Sequence, residues 1–165
     1  MKDLTEIRSI IENRIRRFNY PESPDLLYHP IEYIMSLPAK RIRPLLLLMA
    51  YQLFDKDLEK ALSPAIGIEL FHNFTLLHDD IMDNAPLRRG SLTVHEKWNN
   101  NIAILSGDVM MIQAYQLIAE VDSSCLKDVM DVFNKSAVQV CEGQQWDMNF
   151  ETLTNINLVD YIKMI

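Results

Sequence analysis

The chain has 165 residues, of which 48% are hydrophobic and 24% are charged, a composition typical of one folded globular domain. It carries 16 lysines and arginines against 23 aspartates and glutamates, and the net charge of -7 argues against non-specific nucleic-acid binding. The two cysteines, Cys125 and Cys141, suggest no disulfide framework. With a charged N-terminus that lacks a signal-peptide core, they favour a cytoplasmic location. The longest apolar run, residues 45–50, is too short to span a membrane.

Helical periodicity dominates the apolar pattern from the N-terminus onward. A first helix is predicted from a stripe of Leu4, Ile7, Ile11 and Ile15, and a short second one from Leu27, Ile31, Ile34 and Met35. Pro44 suits the first turn of a third helix that runs to about residue 54, and Pro64 the start of a long helix to Asp83. Pro86 and Gly90 bracket a loop, and further helices are predicted at about residues 93–99, 102–121 and 125–148.

A last helix begins near Asn157, a plausible N-cap, and continues to Ile165 without a helix stop signal. Its apolar face needs a covering element, although simple fraying of the terminus would also explain the missing signal. We therefore predict an all-α bundle and expect the chain to be a fragment of a longer protein.

The end of the long helix carries three aspartates within five positions, Asp79, Asp80 and Asp83. Asp79 and Asp83 are four residues apart and share one helix face, where like charges repel each other and also oppose the helix dipole. A bound cation would offset both effects, and hard oxygen ligands favour Mg²⁺ or Ca²⁺. The spacing is equally consistent with a solvated acidic helix end whose salt-bridge partners are Arg88 and Arg89. An EF-hand is excluded, because Asn84 replaces the required glycine.

A basic cluster in this acidic chain, "AKRIRP", contributes Lys40, Arg41 and Arg43 just before an apolar helix. Such residues bind phosphate, although a solvated basic loop is the commoner explanation for the cluster alone. His72 lies two helical turns before Asp79 on the same face, where a hydrogen-bonded core histidine is the ordinary alternative. Together, the carboxylates and the two basic sets predict a site for two phosphorylated substrates, one bound through metal and one bound directly.

The chain resembles the N-terminal half of the trans-isoprenyl diphosphate synthases, which make farnesyl, geranylgeranyl and longer polyprenyl diphosphates. The resemblance rests on segments that occur in the family's order: "KRIRPLLLLMA", "IELFHNFTLLHDDIMDNAPLRRG", "TVHEKW", "AILSGDVM" and "EGQQWD". It implies an isoprenoid-synthase-type helical bundle, Mg²⁺ as cofactor, isopentenyl diphosphate and an allylic diphosphate as substrates, and a homodimer.

The resemblance also implies roles for individual residues. Asp79 and Asp83, supported by Asp80, would hold Mg²⁺ on the allylic diphosphate, which Arg88 would contact directly. The binding set for isopentenyl diphosphate would be Lys40, Arg43, His72 and Arg89. Gln144 and Asp147 would line the same cavity. Mg²⁺ and arginine would neutralise the departing diphosphate, and the isopentenyl double bond would then attack the allylic cation.

Product length in this family is read from residues beneath the first aspartate. Phe74 and Thr75 lie roughly 6–7.5 Å down the helix from Asp79, and Phe71 about 12 Å. By analogy, a bulky Phe74 blocks a long channel and implies a C15–C20 product, with geranylgeranyl diphosphate favoured. The alternative is that Phe71 and Phe74 are ordinary core aromatics.

Two departures from the family pattern stand out. Ala39 replaces the usual glycine before Lys40, so the backbone of this loop is expected to differ. The second aspartate-rich motif is not in the sequence, so this chain alone is expected to turn over little. Two other functions stay open: a non-catalytic regulatory homologue of a complete synthase, and a terpene cyclase, which needs no second diphosphate pocket.

Overall fold

The computed structural model describes residues 2–165, and in this range the regular secondary structure is helical apart from one short hairpin. The helices are α1 (Leu4–Arg16), α2 (Asp25–Ser36), α3 (Ile42–Tyr51), α4 (Glu59–Met82), α5 (Val94–Lys97), α6 (Asn100–Ile118), α7 (Leu126–Phe150) and α8 (Leu158–Met164). Between α4 and α5 lie two antiparallel two-residue strands, β1 (Leu87–Arg88) and β2 (Ser91–Leu92). The predicted all-α class is confirmed.

The chain is divided into two compact units, and the boundary in the sequence falls between Val121 and Asp122. The first unit contains α1 to α6 and the hydrophobic core. The second contains α7 and α8. None of the helices within residues 2–165 combines the length with the apolar character that a membrane span requires. The prediction that residues 1–165 form one domain stays a prediction.

The first helix shows how local sequence sets its start and its buried face. Asp3 and Glu6 form a capping box: the Asp3 side chain accepts from the Glu6 amide at 2.8 Å, and the Glu6 side chain accepts from the Asp3 amide at 2.9 Å. Ile7, Ile11 and Ile15 are buried, as the apolar stripe predicts. Leu4 is the exception, because its side chain is 54% exposed in the first turn.

The central helix of the first unit is α4, which has its most extensive contact with α6. Side chains on nearly all sides of α4 are buried, among them Leu62, Leu70 and Leu77, as expected for a helix surrounded by other elements. The prediction that Pro64 starts this helix is wrong. The helix begins at Glu59, so that Pro64 lies inside it, and the preceding turn is held by the burial of Ala61 and Leu62.

The second unit carries the helices predicted near residues 125–148 and after Asn157. The Asn157 side chain accepts from the Asp160 amide at 2.9 Å, which confirms the predicted N-cap of α8. Gly143 on α7 approaches α8 closely: a Cβ atom there would lie 2.6 Å from the Met164 carbonyl oxygen. The apolar face predicted for the last helix is solvent-exposed at Leu158, Tyr161, Ile162 and Ile165.

Candidate active site

The three aspartates at the end of α4 have different environments. Asp79 and Asp83 are one helical turn apart, with the Asp83 amide donating to the Asp79 carbonyl oxygen at 2.9 Å. Asp83 is exposed, and the Asp79 side chain is 31% exposed. Asp80 is 2% exposed. The accessible pair is therefore Asp79 and Asp83, and Asp80 faces the protein.

Arg88 explains why a carboxylate can be buried at this helix end. Its Nη2 lies 2.7 Å from Oδ1 of Asp80, and its Nε lies 2.9 Å from Oδ2, which is a bidentate pair. Nη2 also lies 3.4 Å from a carboxylate oxygen of Asp79. The hydrogen bond with Asp80 raises the pKa of Arg88 above its ordinary value. Arg88 is thus a salt-bridge partner of the aspartates here, the alternative that the sequence left open, and its role at a diphosphate stays a prediction.

The donor set at the helix end is compatible with magnesium. Mg²⁺ keeps several waters and takes one or two carboxylates together with substrate phosphates, and Asp79 and Asp83 supply two carboxylates on one face. Across residues 2–165 there is no cluster of three or more acidic, histidine or cysteine side chains close enough to hold a metal ion by themselves. A metal at this position would complete its ligands with water or phosphate oxygens.

A cavity of about 590 Å³ lies beside the loop between α2 and α3. Its lining includes all four residues that the sequence assigned to one diphosphate: Lys40, Arg43, His72 and Arg89. The chain brings these side chains together from three separate segments. Lys40, Arg43 and Arg89 give the lining three basic side chains, and such side chains bind phosphate groups.

The pKa of His72 responds to its burial and to the basic side chains around it. Partial burial, followed by the nearby guanidinium groups of Arg43 and Arg89, lowers the pKa of His72 to about 4. His72 is therefore neutral at physiological pH, when it can donate one hydrogen bond and accept another. Partial burial and the neighbouring Arg41 likewise lower the pKa of Arg89.

The hairpin separates the two consecutive arginines. Arg89 and Gly90 form its two-residue turn with φ of 54° and 78°, both in the left-handed region that tight hairpin turns use. Arg88 is on β1 and bonds Asp80, whereas Arg89 lines the basic cavity. Tyr33 donates to the Leu92 carbonyl oxygen at 2.8 Å and holds the hairpin against α2. The sequence indicated only a loop here.

Of the three basic residues in "AKRIRP", Arg41 alone is buried, at 3% exposure. Its Nη1 lies 2.8 Å from Oε1 of Glu69, which is itself 2% exposed. This guanidinium is therefore occupied within the protein, and Arg41 is not among the residues that the resemblance assigned to a diphosphate. Sequence reasoning missed Glu69, although an acid within the apolar stretch "GIELF" is a signal that could have found it.

Phe71 and Phe74, which were assigned to product chain length, form a row of aromatic rings with His78 on α4. Ring centroids of Phe71 and Phe74 lie 5.6 Å apart, and those of Phe74 and His78 lie 4.7 Å apart. Both phenylalanines are partly buried and pack against the core. The Thr75 hydroxyl donates to the His72 carbonyl oxygen at 2.8 Å. Packing alone is consistent with either role of these aromatics.

Gln144 and Asp147 lie on α7 in the second unit, and their assignment to the cavity stays a prediction.

Comparison with known proteins gives the family. A family model described as polyprenyl synthetase matches residues 24–165. The chain belongs to the polyprenyl synthetase family. The resemblance inferred from the motifs is therefore confirmed.

Curated relatives of the chain are named as prenyl diphosphate synthases. A geranylgeranyl diphosphate synthase of Methanosarcina mazei is 38% identical over 144 residues, which are 86% of this chain and 44% of that protein. A short chain isoprenyl diphosphate synthase of Methanocaldococcus jannaschii is 39% identical over 147 residues, 88% of this chain and 45% of that protein. The chain spans about half the length of the relatives that it matches.

Solved structures support the fold. A crystal structure of a geranylgeranyl pyrophosphate synthase matches with a TM-score of 0.95 at 44% identity, covering 100% of this chain and 50% of that one. The geranylgeranyl pyrophosphate synthetase from Pyrococcus horikoshii matches with a TM-score of 0.90 at 34% identity, covering 98% and 50%. The chain therefore has the isoprenoid-synthase-type helical fold.

Protonation of His72 provides a prediction for the isolated chain. Its pKa of about 4 lies below the ordinary 6.5, so between these pH values the unfolded chain binds more protons than the folded one. Stability is therefore expected to fall as the pH drops from 6.5 to 4, and this part of the loss should vanish in His72→Gln. Unfolding midpoints of both proteins across this range measure it. An equal loss in the two proteins would contradict the assignment.

Proposed function

We propose that this chain is the N-terminal half of a short-chain all-trans prenyl diphosphate synthase, which condenses isopentenyl diphosphate with an allylic diphosphate. The main support is the cavity lined by Lys40, Arg43, His72 and Arg89, while the carboxylates of Asp79 and Asp83 lie at the end of α4 with Arg88. Two distinct groups of charged residues suit a reaction between two diphosphates. The names of the relatives agree with this chemistry.

The basic cavity would take isopentenyl diphosphate without metal. Lys40 supplies a mobile point charge, and the planar forks of Arg43 and Arg89 match phosphate oxygens. Neutral His72 adds a hydrogen bond without further charge repulsion among the cations. These residues hold the homoallylic substrate, so that its double bond is presented to the other substrate in a fixed orientation.

The aspartate end would take the allylic diphosphate. Asp79 and Asp83 would hold Mg²⁺, which when bound neutralises the charge that develops on the departing diphosphate. Arg88 adds a fixed positive charge at the same place, and its bidentate bond to the buried Asp80 keeps the guanidinium oriented. The allylic C–O bond breaks, a C–C bond forms to isopentenyl diphosphate, and a proton is lost to the released diphosphate.

The direct test uses the full-length protein that carries this chain, labelled isopentenyl diphosphate, Mg²⁺, and dimethylallyl, geranyl or farnesyl diphosphate in turn. We expect labelled all-trans products of C15–C20. Cyclic hydrocarbon formed without consumption of isopentenyl diphosphate would indicate a terpene cyclase. No turnover, combined with stimulation of a separate complete synthase, would indicate a regulatory homologue. The homodimer, implied by the family resemblance, and the cytoplasmic location, favoured by the cysteine usage, are further proposals.

Product length gives a prediction for Phe74. If its ring blocks the channel beneath Asp79, Phe74→Ala removes the obstruction and shifts the product to C25 or longer, with geranylgeranyl diphosphate as the expected wild-type product. Thr75 and Phe71, on the same helix, would have smaller effects. Chromatography of the dephosphorylated products measures the shift. Phe54→Ala is the matched control, because the Phe54 side chain is 90% exposed. An unchanged product would assign Phe74 to the core alone.

A further inference from the structure

Arg41 has an unusual position for a charged residue on a binding loop. Its neighbour Lys40 and the nearby Arg43 are exposed, whereas Arg41 is 3% exposed. Its backbone is left-handed, with φ of 49° and ψ of 39°, at the residue that precedes α3. This conformation is unfavourable for a side chain with a Cβ atom and persists where surrounding contacts enforce it.

Those contacts come from the Arg41 guanidinium itself. Nη2 donates to the carbonyl oxygens of Met35 and Leu37 at 2.6 and 3.2 Å. Nη1 donates to Oε1 of Glu69 at 2.8 Å, and Nε donates to Oε1 of Glu12 at 3.4 Å. One planar group therefore ties the end of α2 and the following loop to α4 and α1. Lysine has a single donor atom and cannot reproduce this arrangement.

Glu69 is the anchor of this arrangement. It is 2% exposed, and the Asn73 side-chain amide donates to its Oε1 at 3.2 Å and to its carbonyl oxygen at 2.8 Å. A buried carboxylate in the wall of a cationic cavity requires a partner, and Arg41 is that partner. The pair neutralises itself, so the diphosphate would meet the charges of Lys40 and Arg43 rather than that of Arg41.

The first helix also contributes to this loop. Glu12 contacts Arg41, and Nη2 of Arg8 donates to the Lys40 carbonyl oxygen at 3.4 Å. Both residues precede the segment 24–165 that the family model matches. The part of the chain outside the family match therefore supports the loop that carries the candidate ligands.

We propose that Arg41, held by Glu69, is a positioning residue that fixes the loop of residues 37–43, so that Lys40 and Arg43 face the cavity they share with His72 and Arg89. This proposal rests on the proposed function, since it assigns that loop to isopentenyl diphosphate. Arg41 acts through its neighbours and does not bind the substrate itself.

The test compares Arg41→Lys and Arg41→Gln with wild type in the full-length protein. We expect the KM for isopentenyl diphosphate to rise about 10- to 100-fold in both variants, because a small misplacement of ligands has an effect of that order. The kcat at saturation and the KM for the allylic substrate should stay near the wild-type values. Amide hydrogen exchange across residues 39–43 should become faster. Lysine should not rescue, although it keeps the charge.

The control is a core variant, Ile7→Val or Ile7→Ala, chosen to match the loss of thermal stability. Ile7 is 0% exposed on α1 and is not among the partners of Arg41. An equal KM change in this control would reduce Arg41 to a stability role and overturn the proposal. A raised KM with unchanged exchange at residues 39–43 would make Arg41 a direct ligand, which also overturns it. Inactive wild-type protein would defeat the proposed function, and the exchange comparison would still decide whether Arg41 fixes the loop.

Discussion

Replacing Asp79 by asparagine is expected to lower kcat of the full-length protein by about 10²–10³-fold, the scale seen when one electrostatic contact to developing charge is removed. Asparagine keeps the shape of the side chain and removes the charge proposed to hold Mg²⁺ on the allylic diphosphate. Folding should hardly change. The variant loses a partly exposed ion pair with Arg88 at 3.4 Å, and it also loses repulsion from Asp83 and from the helix dipole.

Steady-state kinetics with both substrates, together with thermal unfolding, measure this effect. Asp57→Asn is the matched control, because it removes an exposed carboxylate from the loop between α3 and α4. We expect control activity at the wild-type level. Elongation in Asp79→Asn at a rate close to wild type would remove Asp79 from the metal site.

The second large effect is expected at Gly67, where α4 packs tightly against α6 in the first unit. A Cβ atom there would lie 2.8 Å from Cγ1 of Ile118 and 3.0 Å from the Ala114 carbonyl oxygen. The second contact is with backbone, which cannot move aside as a side chain can. Gly67→Val should therefore destabilise the fold by about 1–3 kcal/mol through overpacking. This exceeds the gain from removing a helical glycine, which is at most about 1 kcal/mol.

Denaturant unfolding of wild type and Gly67→Val gives the free-energy difference. Ala50→Val is a suitable control for the cost of valine in a helix, because Ala50 is exposed near the end of α3. We expect the control to lose only a few tenths of a kcal/mol. If Gly67→Val were as stable as wild type, the tight contact between α4 and α6 would not be needed for folding.

The helices could be predicted from sequence because their apolar residues recur at helical spacing. The buried residues Ile7, Ile11 and Ile15 are the clearest case, and the Asn157 cap is another. The residues at which helices begin and end were harder to predict from the sequence. Pro64 usually marks a helix start, but apolar residues before it are buried and extend α4 by five residues. The Arg89–Gly90 turn lacks the asparagine or aspartate typical of tight hairpins, and the turn depends on contacts with distant residues such as Tyr33.

The sequence predicted which residues line the basic cavity. It did not show which of the charged residues are buried. Lys40, Arg43, His72 and Arg89 do line one cavity. The sequence could not distinguish exposed from buried charges, because burial depends on partners distant in the chain. Arg41 lies 28 residues before its partner Glu69, and Arg88 lies 8 residues after Asp80. In both pairs the guanidinium group is held by a buried carboxylate.

The proposed function requires two diphosphate sites in this chain, one dependent on Mg²⁺ and one independent of it. Calorimetric titration of the full-length protein with each substrate separately, with and without Mg²⁺, tests it most directly. We expect isopentenyl diphosphate to bind equally well in both conditions and to lose affinity in Arg43→Gln. The non-reactive thiolo analogue of the allylic diphosphate should require Mg²⁺ and lose affinity in Asp79→Asn. The same Mg²⁺ dependence for both substrates, or weakening of both by either variant, would contradict the two-site account.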